Sequence, residues 1–521
     1  MTNVPSSVPN IAPNGEPVGF HRIALTVLPT ELPRQATALL ENGFRVALVA
    51  GHDNDDADDA LRAVYLFTTP RDDRRVELHV PLRRAYPHLP SLAGVSFPAG
   101  RFEREMRDLY GIVPDDHPLP RRLVRHFHWP KGWYPMRKDA AVPPEFGDTE
   151  GPFPFRSVEG PGVYEIPVGP VHAGMIEPGH FRFSVVGETI LNLKARLWFV
   201  HRGIEKLFEG RHPDDAVELS ERISGDTAVG HTLAFCLAVE DALGLAVPPH
   251  AQRTRAILLE LERLYNHTTD LGALCNDVGY GILNAHTGRI REQLLRINDH
   301  TTGHRLLRGG IHPGGATLRH RPNPEQLGGI AADIAEVVAL ALDHTVVRDR
   351  FTGTAVLTTA QATDLGTLGY VARASGLTVD ARHDHPYLPP ALPRTQHTHT
   401  DGDVLSRFLV RAEEIQTSVA TITQLVDDLG DDLGGQHQTI TAQAAAQPDR
   451  PRSGVGIVEG WRGSIVHRVE LDADGVLSRV KIVDPSFFNW PALPLALADT
   501  IVPDFPLTNK SFNLSYAGND L

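Results

Sequence analysis

Residues 169–183 read GPVHAGMIEPGHFRF, which sets Glu177 three positions before His180 and five before Arg182, with His172 just upstream. A carboxylate beside an imidazole moves protons when burial brings its pKa towards neutrality; otherwise Glu177 pairs with Arg182 and stabilises a turn. Glu459 and Arg462, in EGWRGSIVH at 459–467, pose the same choice between groups lining a cavity and a strand-end ion pair. His172 and His231 are either cavity-lining polar groups or satisfied core histidines. Only two cysteines occur, Cys236 in LAFCLAVE and Cys275 after LGAL, with no CxxC spacing. They read as small core residues of a chain from a reducing compartment. His383, His385, His397 and His399 lie in a Pro-dense stretch without an i, i+4 pair, which predicts an exposed loop without a metal. RGGIHPGG at 308–315 follows a helical pattern and lacks the lysine of a phosphate loop, so it does not predict nucleotide binding.

The elements that must hold these groups follow from periodicity. His21–Leu28, Phe44–Ala50, Leu61–Phe67 and Arg75–Val80 alternate or are β-branched, and Glu31–Asn42 fits a helix closed by Gly43. A small α+β domain is predicted there. Residues 101–139 run from a charged helix into a strip rich in Pro and aromatic residues, and 140–165 are rich in Pro and Gly. From His201 to about Gly310 the pattern is helical, with further helices at Asn323–Asp343 and Gly402–Asp428. Val466–Val483 reads as two strands joined at Asp474-Gly475. The predicted fold class is α+β: a disordered start at 1–18, a small domain at 19–140, a linker at 141–165 and a mainly helical domain with minor β elements at 166–521.

At 521 residues, 41% of them hydrophobic, the chain is long enough for two or three domains. The best spanning candidate, Leu327–Val347, is broken by Asp333, Glu336 and Asp343, so no transmembrane helix is predicted. The N-terminus lacks the basic and apolar regions of a secretion signal. A net charge of −14 argues against a nucleic-acid partner.

Within 101–139, EREMRDLYGI followed by HPLPRRL and GWYPMRKD resembles the C-type subunit of bacterial NADH:quinone oxidoreductase, complex I. GPVHAGMIEPGHFRF and VHRGIEKLFEGR, at 169–183 and 200–211, resemble the D-type subunit of complex I and, equally, the large subunit of energy-converting [NiFe] hydrogenases. In hydrogenases a Glu-Gly-His-x-Arg motif supplies a proton-relaying glutamate. Its counterpart here is Glu177-Pro-Gly-His180-Phe-Arg182, with one inserted proline.

Hydrogenases hold nickel and iron with two CxxC pairs, because soft thiolates suit and bridge both metals. Where they read Arg-x-Cys-Gly-x-Cys, this chain reads ERISGDTAVGH, with Ser224 and Thr227 around Gly225 and with His231 after them. Where they read Asp-Pro-Cys-x-x-Cys, it has Asp484 and Pro485 followed by Ser486 and Asn489. Hydroxyls are too weakly acidic to replace thiolates, and Asn has no anionic form. The resemblance places Arg462 at the arginine that overhangs the metal centre. The quinone contacts of complex I are also replaced, by Ile176 for a histidine and Gly225 for a tyrosine.

The resemblance implies an oxidoreductase subunit without its own cofactor in a membrane-bound, ion-translocating assembly. It would lie on the cytoplasmic face, against an iron-sulfur small subunit, a ferredoxin-like subunit, a membrane anchor and antiporter-like subunits. Electrons would pass from the iron-sulfur partner to a quinone or another acceptor without hydrogen chemistry, with Glu177, His180 and Arg462 as relay and cavity residues. The alternatives are a catalytically silent scaffold and transducer, or a hydrogenase with unconventional ligands.

Overall fold

The computed structural model describes residues 15–53, 60–70, 73–140, 142–143, 145–147, 151–173, 176–388, 397–430 and 452–521. These fall into two compact units: one of the residues up to Ser157 with Leu197–Arg202 and Asp520, the other of Val158–Arg196, Gly203–Asn519 and Leu521. The division runs at Ser157, later in the chain than the 141–165 linker begins. The short segment Leu197–Arg202 returns to the first unit.

In the first unit, strands β1 (Glu16–Gly19), β2 (Arg22–Thr26), β3 (Arg45–Asp53), β4 (Ala60–Thr68) and β5 (Arg75–Arg83) form one sheet of order β1-β2-β5-β4-β3. β2 and β5 pair in parallel and the other neighbours antiparallel. Helix α1 (Leu32–Glu41) connects β2 to β3, as parallel crossovers require intervening chain. Helix α2 (Phe97–Tyr110) is capped at its start by the Ser96 hydroxyl and stops at Gly111 in the left-handed conformation.

The second unit is built on long helices. α3 (Ala228–Leu243) is apolar on nearly every face and correspondingly buried. Around it stand α4 (Pro249–Asp277), α5 (Gly281–Thr302), α6 (Pro324–Asp343) and α7 (Val404–Leu429), matching the helical periodicity of the sequence. None among the described residues is long and apolar enough to cross a membrane.

Two sheets depart from expectation. β6 (Val163–Val168), β7 (His180–Val186) and β8 (Thr189–Arg196) form an antiparallel sheet that the Pro- and Gly-rich sequence did not announce. The predicted hairpin is the outer part of a three-stranded meander, β9 (Arg452–Gly460), β10 (Gly463–Leu471) and β11 (Leu477–Val483). β9 lies so close to α3 that a Cβ on Gly456 would meet the Ala234 carbonyl oxygen at 2.0 Å, and one on Gly454 the Ala238 oxygen at 1.9 Å. Glycine is required there because backbone lies directly on backbone. Beyond β11 the chain forms α8 (Pro485–Asn489), α9 (Phe505–Phe512) and α10 (Tyr516–Asp520).

Candidate functional site

The positions matched to hydrogenase ligands converge in the second unit. Ser224 and Thr227 sit on the turn that leads into α3, and Ser486 and Asn489 on α8. All four are at most 2% exposed. The aspartate between the first two, Asp226, reaches outward with 41% of its side chain exposed and holds Arg462 in a two-pronged pair at 2.7 and 2.8 Å. Fork-to-carboxylate geometry of this kind is the strong form of an ion pair. Ser224 and Thr227 both donate to Asp226, at 3.1 and 3.0 Å, so neither hydroxyl is left for a ligand. Trp461 donates its ring N–H to Thr227 and to the Asp226 carbonyl.

The two frames are joined by the chain's own last segment. Ser515, which caps α10, bonds through its hydroxyl to the Ser224 hydroxyl at 2.8 Å and donates its amide to the Ser486 hydroxyl at 2.9 Å. The Arg462 Nε donates to the Asn513 carbonyl at 2.6 Å, and the Asn513 side chain donates to Asp270. Asn489 closes a pair of bonds with the Leu368 backbone, accepting at 2.9 Å and donating at 3.1 Å. Every polar side-chain atom at the four positions therefore has a protein partner. A nickel-iron centre needs four anionic soft donors around open space; these are neutral hydroxyl and amide groups, of which Ser224 and Ser486 are tied to Ser515. The residues do not fit that group.

Below the seal lies a second layer. Asp484 accepts from the Ser486 amide at 2.7 Å and meets His231 Nε2 at 3.0 Å, and His231 Nδ1 meets His467 Nε2 at 3.1 Å. Burial would raise the Asp484 carboxyl, but His231 and Arg462 outweigh it and hold it below the usual carboxylate range. A third group ties α4, α7 and β9 together. Glu414 meets Arg373 at 2.6 Å and His267 at 2.8 Å, Glu260 holds Arg263 at 3.0 Å, and Arg382 holds Asp380 at 2.7 Å. All but the half-buried Arg382 are buried, so removing one partner would leave a charge uncompensated.

Other predicted residues lie elsewhere. Glu459 pairs with Arg373 at 2.9 Å, not with Arg462, because a strand end directs them to opposite neighbours. Burial and the nearby Asp380 charge push the Glu459 carboxyl up against the pull of Arg373. Glu177 is exposed and accepts the Ala517 amide at 3.1 Å, while Arg182 pairs with Glu165. The structure therefore shows neither a buried Glu177 nor a Glu177–Arg182 pair. His172 and His180 bond to the carbonyls of Gly179 and Gly169, and Ile176 and Gly225 are exposed.

The expected exposed histidine loop is partly a folded element. Ala381–Asp384 is helical, His385 is 5% exposed, and His397 and His399 share Glu413 at 3.3 and 3.1 Å. Residues 389–396 lie outside the described part. No metal-binding group of three or more His, Cys, Asp or Glu occurs among the described residues. Cys236 and Cys275 are buried core residues as expected. The sequence reading missed Asp226, Ser515, Asn513 and His467. Asp226 was visible inside the motif itself, whereas Ser515 carries no spacing signal.

Comparison with known proteins agrees with this architecture. The family described as respiratory-chain NADH dehydrogenase, 30 Kd subunit, matches residues 25–145, and its 49 Kd counterpart matches 277–520. Nickel-dependent hydrogenase matches 202–275. The chain is 34% identical to hydrogenase-4 component G of Escherichia coli over 80% of its length and 73% of that protein. It is 30% identical to formate hydrogenlyase subunit 5 of the same organism, over 96% and 89%. It is also 30% identical to the C/D subunit of the NADH-quinone oxidoreductase of Phocaeicola vulgatus, over 80% and 82%. A chain in the structure of the membrane-bound sulfane sulfur reductase, an archaeal respiratory membrane complex, shares the fold, with a TM-score of 0.62 at 23% identity over 69% of this chain and 99% of that one. This chain belongs to the family of large subunits common to complex I and [NiFe] hydrogenases, with a 30 Kd-type domain fused ahead of a 49 Kd-type domain.

Proposed function

We propose that this chain is a subunit of a membrane-bound, complex I-like respiratory oxidoreductase and that it serves there as a coupling element without hydrogen chemistry. The observation that carries the reading is Ser515, which bonds to Ser224 on one ligand frame and to Ser486 on the other. A chain segment that fills the space between the frames leaves no room for the bimetallic centre. The guanidinium of Arg462 spends both of its terminal nitrogens on Asp226 and its Nε on Asn513, so it offers nothing to a substrate. The exposed Ile176 and Gly225 add no polar contact for a quinone head group.

In this reading electrons pass between an iron-sulfur partner and an acceptor outside the sealed position. The subunit docks the iron-sulfur small subunit and a ferredoxin-like subunit, and passes the resulting strain and charge to antiporter-like and anchoring membrane subunits at the cytoplasmic face. Buried ionic layers suit that task, because they hold discrete arrangements rather than deforming continuously.

The test is the purified assembly, assayed for hydrogen turnover with a viologen dye, for acceptor reduction and for ion translocation. Ser224→Ala and Ser486→Ala are expected to leave electron transfer within about twofold while lowering the ions moved per electron; one hydrogen bond is a perturbation of about 1 kcal/mol. Hydrogen turnover, or loss of acceptor reduction in an intact assembly, would overturn the reading.

A further inference from the structure

His231 and His467 are both 0% exposed, and Asp484 is 1% exposed. They form a row: Asp484 Oδ2 to His231 Nε2 at 3.0 Å, then His231 Nδ1 to His467 Nε2 at 3.1 Å. The row ends at His467 Nδ1, a buried nitrogen without a hydrogen-bond partner in the structure. None of the three side chains bonds to the four residues at the ligand frames except Asp484, through the Ser486 amide.

The protons in such a row are countable. An ionised carboxylate only accepts, so Asp484 requires a proton on His231 Nε2. If His231 is neutral, its Nδ1 is a lone pair and takes the Nε2 proton of His467. His467 Nδ1 is then bare, a buried lone pair on a ring whose centroid lies 6.4 Å from that of Phe235 on α3. The row therefore has one vacancy, and it lies at the far end.

We propose that Asp484, His231 and His467 form a relay for a single proton, loaded at His467 Nδ1 and held on His231. A proton delivered by water binds His467 Nδ1, the His467 Nε2 proton crosses to His231 Nδ1, and His231 becomes an imidazolium beside the Asp484 carboxylate. His467 is left neutral with its tautomer inverted. Reversal returns the proton by the same two transfers, and no other group changes its charge. Holding the proton on His231 rather than His467 agrees with electrostatics. Burial, then the neighbouring His231, depress the His467 imidazole well below its usual range, whereas His231 alone has a counter-ion in contact.

The other charged groups on the packed elements are committed elsewhere. Arg462 is held by Asp226, Glu262 accepts the amides of Val229 and Gly230, Arg255 pairs with Glu240, and Glu205 pairs with Arg479 and Lys481. Of these, Glu262 is pushed up to about 8 by burial and titrates in the same range, while the ion-paired groups set a constant background. The link to the sealed site is Asp484, which also accepts from the Ser486 amide. Use of the relay in coupling rests on the function proposed above; its existence does not.

The experiment is nitrogen NMR on the full chain labelled at histidine, with His231→Gln and His467→Phe assigning the two rings, across about pH 5 to about pH 9. The expected result is His467 protonated at Nε2 in alkaline solution and at Nδ1 in acid, with His231 gaining its second proton in the same transition. Loss of that transition in His467→Phe, whose ring packs against Phe235, supports the order of transfer. A His467 tautomer that stays fixed across the range overturns the relay. Hydrogen turnover by the assembly would instead overturn the coupling function and leave the tautomer result standing.

Discussion

At the scale of single residues, the outcome turns on what replaces four sulfurs. Ser224, Thr227, Ser486 and Asn489 kept the frames around them, Gly225, His231, Asp484 and Pro485, which is why the loss could be read from the sequence. What could not be read is that the vacated space is bridged by Ser515, 291 residues from Ser224 in sequence. A lone serine near the end of a chain has no periodicity or spacing to mark it. Returning thiolates at all four positions is therefore not expected to restore a metal centre: the Ser224→Cys, Thr227→Cys, Ser486→Cys, Asn489→Cys protein should purify without stoichiometric nickel by elemental analysis, because residues 513–515 still occupy the space. Arg462 ties the first frame to the segment at Asn513. Arg462→Met strips Asp226 of its partner and Asn513 of its donor. Because Asp226 is partly solvated, the cost is about 1–3 kcal/mol, below that of a fully buried pair. Urea denaturation would measure it, and a change within about 0.5 kcal/mol would show that the pair is dispensable.

At the scale of elements, the parts legible in the sequence were those with one strong period. Helices α6 and α7 and the Asp474-Gly475 turn between β10 and β11 were placed within a few residues. β9 was not, because RSGVGIVEG carries three glycines that weaken its strand pattern, and only the close passage of α3 explains Gly454 and Gly456. The β6–β8 sheet hid behind prolines, and its first strand is too exposed for its alternation to stand out. Gly456→Ala tests the packing of β9 on α3 directly: a Cβ 2.0 Å from a carbonyl oxygen has to push two elements apart. The expected loss is about 3 kcal/mol or more, at the upper end for overpacking. A thermal midpoint within one degree or so of the parent would contradict so close an approach. Ser515→Ala belongs at this scale too, since it unties α10 from the turn before α3. Hydrogen exchange at the amides of 513–520 should quicken about tenfold or more, as one lost buried bond of about 1.5 kcal/mol implies.

At the scale of the whole molecule, the buried charges predict how stability follows pH. Burial raises the Glu205 carboxyl, but Arg479 and Lys481 outweigh it and hold it at about 2. The unfolded chain binds that proton near 4.5, so this contribution is complete above that value and is lost as pH falls towards 2. Burial lowers His267 to about 4 despite the pull of Glu414. The unfolded histidine protonates near 6.5, so folding loses ground as pH drops from 6.5 through 4. Both act in the same direction, a fall of the thermal midpoint with acid below 6.5, on which Glu262 and Glu103, pushed up by burial to about 8 and about 7, superimpose an opposite contribution above about 4.5. His267→Gln should flatten the upper part of that fall, between 6.5 and 4, while leaving the lower part. Parallel profiles for the two proteins would show that Glu414 and His267 do not carry the effect.

The position homologous to a bimetallic centre is closed by the protein's own Ser515. Quantifying nickel in the complete, natively purified assembly tests it with least interpretation. Nickel far below one atom per chain is expected in preparations that still reduce their acceptor, and stoichiometric nickel in active preparations would contradict that closure.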